Sequence, residues 1–138
     1  MSGPFGPQDA IARIQAIVRG LDGVREAPEY APENVNQFPF GLSYYKTGDT
    51  TLMNGYRKGL HTVVCDIFVA RQLLPSSIRQ AMPFYERFMA AIEADPTLGG
   101  TVSTIVAPVR HSFGRISYGD EKALLLGWEF EITVKQET

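Results

Sequence analysis

The run Leu60-His61-Thr62-Val63-Val64-Cys65-Asp66-Ile67-Phe68-Val69 constrains this chain more than any other stretch. Its β-branched and aromatic content favours a strand. One face would carry His61, Val63, Cys65, Ile67 and Val69, the other Leu60, Thr62, Val64, Asp66 and Phe68. A strand apolar on both faces belongs in the middle of a sheet, with cover on both sides. The rest of the chain must therefore supply flanking strands and a packing layer. Asp66 is the exception on this strand: a carboxylate there needs a hydrogen-bond partner or a place near the sheet margin.

After this strand the residues read as a corner and a helix. The corner is Arg71-Gln72-Leu73-Leu74-Pro75, and a helical pattern runs from Ser77 to Ala94. Ser77 and Gln80 have capping-box spacing. Ile78, Met82, Tyr85, Met89 and Ile92 form one apolar stripe, with Phe84, Phe88 and Ala91 beside it. So wide a face predicts burial against the sheet plus a further surface, which makes Phe84 and Phe88 candidates for a subunit contact. Pro83 should kink the helix or mark a hand-over from a short turn to the main helix. Pro96 ends it, and Gly99-Gly100 permits a sharp reversal.

Upstream, Met1 to Pro7 has neither a basic nor an apolar signal-peptide region and reads as a flexible arm. Asp9 is placed to cap a helix whose stripe is Ile11, Ile14, Ile17, Val18 and Leu21, with Gly20 and Gly23 at its exit. Val24 to Gln37 is a proline-rich connector. Phe38, Phe40, Leu42 and Tyr44 then alternate as a strand, with Pro39 at its start or on an edge. Residues 46–59 contain the turn dipeptides Gly48-Asp49 and Asn54-Gly55 and read as a protruding loop. Leu52, Met53, Tyr56 and Arg57 within it are candidates for contact with a neighbouring subunit.

Downstream, Thr101 to Val109 and Arg115 to Tyr118 are β-rich, interrupted by Pro108 and Gly114, as suits an edge or bent strand. Gly119-Asp120-Glu121-Lys122 reads as a turn. Leu124 to Lys135 then shows the cleanest two-residue period in the chain, with Trp128 on the core face and Glu129 and Glu131 on the other. These two carboxylates are further interface candidates. The expected architecture is a single α+β domain over residues 1–138: an antiparallel or mixed sheet of about four strands, with two main helices packed mainly on one face. The order is α-β-(arm)-β-α-β-β.

Composition narrows function mainly by exclusion. With 44% hydrophobic and 20% charged residues the chain should fold as an ordinary soluble domain. A net charge of -2 lacks the basic excess of a nucleic-acid binder. No apolar run approaches the roughly 20 residues that span a bilayer. The single Cys65 excludes an internal disulfide and reads as a buried side chain in a protein made in a reducing compartment. No nucleotide-binding, metalloprotease, dithiol or nucleophile-elbow motif occurs.

The remaining chemical candidates are weak for geometric reasons. His61 and Cys65 stand roughly 13 Å apart on a strand, too far to share an ion. His111 and Ser112 point to opposite faces. Glu129 and Glu131 share a face about 7 Å apart, within the range of paired glycosidase carboxylates, but read better as solvated or salt-bridged charges. No catalytic, cofactor-binding or metal-binding residue is expected, and the chain reads as an assembly component rather than an enzyme. A small-molecule-binding or hydrolytic α+β domain is the alternative from a different class.

Two segments carry a resemblance: Ala70-Arg71-Gln72-Leu73-Leu74-Pro75 before the helix, and Asp95-Pro96-Thr97-Leu98-Gly99-Gly100-Thr101-Val102 after it. Together with the final strand Leu126 to Val134, they resemble the tail-terminator (tail-completion) proteins of long-tailed bacteriophages. The resemblance implies a small virion protein of the tail and neck, assembled in the host cytoplasm. It implies a homo-oligomeric ring, six-fold in this family, that caps the tail tube, stops its elongation and meets the head-side connector. Its partners would be the tail tube protein and the connector protein, with no cofactor, membrane or specific nucleic acid. Another neck, connector or tail-tube subunit is the nearest alternative.

Overall fold

The computed structural model describes residues 6–29, 37–70, 74–116 and 125–137. In chain order they form α1 (Pro7–Arg19), β1 (Phe40–Met53), β2 (Tyr56–Ala70), α2 (Leu74–Ala81), α3 (Phe84–Glu93), β3 (Thr104–Ile116) and β4 (Leu125–Glu137). The strands make one antiparallel sheet in the order β1-β2-β4-β3, with the helices on one face. The chain is an α+β fold, and the element order is the one its sequence implies. Met1–Phe5, most of the expected N-terminal arm, lie outside the described residues, as do Arg71–Leu73 of the corner and the Gly119–Lys122 turn.

The run with two apolar faces forms most of β2 and sits between β1 and β4. Val63, Cys65 and Ile67 of β2 and Trp128, Phe130, Ile132 and Val134 of β4 point into one core. The helices meet them with Ala10, Ile14 and Val18 of α1 and Phe84, Phe88 and Ile92 of α3. Phe88 stacks on Phe130 with ring centroids 4.3 Å apart. The Trp128 indole N–H donates to the Ala81 carbonyl at 3.0 Å, which serves a backbone acceptor left open at the end of α2.

Local details of the helices depart from the sequence pattern. Gly6, not Asp9, is the N-cap of α1; the Asp9 carboxylate accepts from the Gly6 N–H at 3.2 Å from within the first turn. Pro83 separates α2 from α3, because a proline cannot supply the next helical N–H. Ser77 lies inside α2 and is buried, so its capping-box spacing does not mark the start of the helix. The core stripe nonetheless runs on across the break at steps of three and four. Ser77, Ala81, Phe84, Phe88 and Ile92 are buried, whereas Leu74, Ile78 and Met82 are exposed.

The Thr-Leu-Gly-Gly exit is an anchored reversal. Leu98, Gly99 and Gly100 adopt φ of 48°, 67° and 84° in succession. The left-handed backbone costs leucine about 1–2 kcal/mol, a cost that burying its side chain offsets by about 1.5–3 kcal/mol. Leu98 is fully buried. Asp95 fixes the turn from both sides: Oδ1 accepts from the Gly99 N–H and Oδ2 from Arg13 Nε of α1, each at 2.8 Å.

Residues 46–59 are not a loop. Gly48 and Asp49 pair with His61 and Leu60 as strand residues, and only Asn54-Gly55 turns, with Gly55 at φ 64°. Asn-Gly between two extended runs is the strongest short hairpin signal, and it outweighs the Gly-Asp dipeptide. Register shifts between Tyr45 and Thr47, so a bulge at Lys46 marks where the arm leaves the body. The two β-rich stretches downstream merge into the single edge strand β3, whose register shifts across Pro108.

β2 and β4 approach closely where Phe68 faces Gly127. A Cβ on Gly127 would overlap the Ile67 carbonyl oxygen and Phe68 Cα, both backbone atoms. Gly127→Ala should therefore lower the free energy of unfolding by about 3 kcal/mol. Equilibrium urea unfolding checks this, and a loss under about 1 kcal/mol would contradict the close approach.

Candidate subunit interface

The arm presents its residues on two faces, because directly opposed residues of an antiparallel pair share a face. Leu52 opposes Arg57, on the helix side of the sheet; Met53 opposes Tyr56, on the other side. Leu52 is 76% and Met53 52% exposed. Every residue of β1 from Tyr44 to Met53 is exposed, which is unusual for a strand of this length. Arg57 is exposed, whereas Tyr56 is half-buried and hydrogen-bonds Glu137, which raises its hydroxyl above the ordinary tyrosine value. Tyr56 is thus already engaged within its own chain.

The structure removes two of the candidates. Phe84 and Phe88 are fully buried in the core and offer nothing to another subunit. Their stripe faces the sheet in line with the buried Ser77 and Ala81 of α2. The exposed apolar residues of this region are instead Leu74, Ile78 and Met82, spaced four apart from the start of α2 to just past its end. That spacing is visible in the sequence, but two adjacent apolar stripes do not by themselves say which of them the core takes.

Glu129 and Glu131 lie on the sheet face that no described helix covers. Glu131 accepts from Lys46 Nζ at 3.0 Å, across β2 from the bulge. Glu129 stands directly opposite Asp66 on β2. Asp66 is only 6% exposed, and its Oδ2 accepts from the Tyr44 hydroxyl at 3.2 Å. Its Oδ1 is buried without a hydrogen-bond partner. Burial, reinforced by the Glu129 charge and partly offset by the Tyr44 hydrogen bond, pushes the Asp66 carboxyl up to about 7. Burial and the same carboxylate raise Tyr44 as well. Asp66 is hydrogen-bonded as its position demands, but it stands in a central strand rather than at the sheet margin.

The histidines, Ser112 and Cys65 stay apart from one another. His111 packs on the helix side against Tyr85 and Trp128, while Ser112 opposes Glu129 on the other face. Burial pushes the Cys65 thiol up to about 12, so it is no nucleophile at neutral pH. His61 Nδ1 pairs with the Tyr45 hydroxyl at 3.0 Å. Among the described residues no group of three or more His, Cys, Asp or Glu could hold a metal ion, and no helix is long and apolar enough to cross a membrane. No family model matches the chain, and no curated protein matches it at a significant level.

The Asp66 environment has a stability consequence. The native state holds the Asp66 proton up to about pH 7, whereas an unfolded aspartate releases it near 4. Native chains therefore bind more protons between these values, and stability falls as pH rises through the window. Asp66→Asn keeps an acceptor for Tyr44 and turns an amide donor toward Glu129. It should raise the unfolding free energy at pH 8 by about 2 kcal/mol and flatten the profile between pH 4 and 7. Urea titrations at pH 5 and pH 8 test both effects.

Proposed function

We propose that the chain is a structural subunit of a bacteriophage tail, a terminator that forms a ring on the end of the tail tube and presents a surface to the head-side connector. The arm carries this reading. The hairpin holds Leu52 and Met53 in water, largely uncovered by the described residues of its own fold. Grouped apolar side chains of this kind mark a protein contact.

Three further features support it. The sheet has two unlike edges, β1 and β3, as a head-to-tail ring requires of its subunit. Of the two segments behind the resemblance, the Asp95-to-Gly100 exit is pinned by Asp95 and Leu98. The charged groups on the uncovered face serve one another rather than a substrate, through Lys46–Glu131 and Tyr44–Asp66. The expected ring is a hexamer, without cofactor or catalytic step, and its partners are the tail tube protein and the connector.

Replacing Leu52, Met53 and Tyr56 together by serine should leave a folded monomer. Native mass spectrometry and negative-stain imaging of the wild type should show a ring with a lumen, and of the variant a single subunit with the same circular dichroism. Unchanged ring assembly by the variant would reject the role of the arm; a wild type that stays monomeric at every concentration would reject the ring.

A further inference from the structure

An apolar groove of about 220 Å³ lies between α3 and β3. Met89, Ile92 and Pro96 form one wall and Ile105, Ala107 and Val109 the other, with Glu93 at the rim. Ile105 opposes Val134 in register and so sits on the helix side of the sheet. Leu52 and Arg57 sit on that same side, at the opposite edge. Apolar walls and an acidic rim at one edge thus match an apolar tip and a guanidinium at the other.

Leu52 cannot fill the groove of its own chain. β1 and β3 are three strand spacings apart, about 14 Å, with β2 and β4 between them. Ile105 is level with Gly48 through Val134 and His61, so the groove also lies about five residues, roughly 16 Å, short of the arm tip along the strands. Only another molecule can bring the two together.

We propose that the groove between α3 and β3 receives the arm tip of a second copy of this chain, with Leu52 between Ile92 and Ile105 and Arg57 against Glu93. This rests on the ring reading and names its contact. One subunit gives its tip and receives its neighbour's, so the contact is heterologous and propagates around a ring. Neighbours dock staggered along the strand direction, because tip and groove are not level. Among the described residues no ion pair within the chain engages Arg57 or Glu93. Leu52 supplies most of the affinity, since it leaves water for an apolar site, and the charge pair sets the register.

The test is a disulfide between copies. Cys65 is buried, so Leu52→Cys and Ile105→Cys introduce the only accessible thiols. The double variant should oxidise to a ladder of covalent multimers ending at the closed ring, and neither single variant should form more than a dimer. Leu52→Asp should reduce the ring fraction at fixed concentration at least tenfold. Arg57→Glu and Glu93→Arg should each weaken assembly, and together they should restore it. All these positions except Ile105 are exposed, and circular dichroism verifies that each variant is folded. Rings that form in the wild type and in L52D alike, without a cross-linked ladder, would overturn the contact and leave the ring standing. A wild type without rings would overturn both.

Discussion

Everything in this molecule hangs on the pairing of β2 with β4. The two strands run side by side from Lys58–Glu137 to Ala70–Leu125 without a register shift. One face of the pair is apolar along almost its whole length, from Val134 and His61 to Val69 and Leu126. That face attracts all three helices. A slip of one residue would turn Trp128, Phe130 and Ile132 into water and Glu129 and Glu131 into the core, so the register has no close competitor. The Gly127 approach to Phe68 tightens the same pair from the other side.

The opposite face of the pair is handled differently. At one end Phe40, Phe68 and Leu125 cluster with Phe38, Leu42 and Ile116, so the sheet supplies its own apolar cover. Toward the middle the cover is polar: Tyr44 over Asp66, and Lys46 bonded to Glu131. This explains how a strand with two apolar faces persists where no described helix covers it. It also explains the cost at Asp66, whose neighbours are another carboxylate and a single hydroxyl donor. Like charges directly opposed across a ladder destabilise it unless one of them holds a proton.

Much of this was legible in the residues because it follows from period. β4 reads from its alternation, β2 from its two-faced apolar run, and α1 from Ile14, Val18 and Leu21. The edge position of β3 reads from Pro108. What was hidden depends on phase and on competing turn signals. Two apolar stripes lie side by side over Ser77 to Ala94, and their spacing does not say which one the core takes: it takes Phe84 and Phe88 and leaves Ile78 and Met82 exposed. Gly48-Asp49 resembles a turn in isolation; within a ladder it is two paired residues, because Asn54-Gly55 ahead of it already closes the hairpin. The groove was illegible for a different reason. Met89, Ile92, Pro96, Ile105 and Val109 are spread over 21 positions from a helix, a loop and a strand, and only the fold brings them together.

The distribution of exposed apolar groups has two sources. The hairpin carries Leu52 and Met53 past the end of the sheet, and α2 packs through Ser77 and Ala81, which leaves Leu74, Ile78 and Met82 outward. α2 packs near Val69 and Leu126, at the end of the strands opposite the arm tip. One apolar surface thus lies at each end of the strands, and the groove lies at one edge. A fold that buried only its own core would have little reason to keep three such surfaces. Under the proposed reading they divide naturally: tip and groove join like to like within a ring, and α2, which neither contact occupies, remains available on a face of that ring for a partner of a different kind.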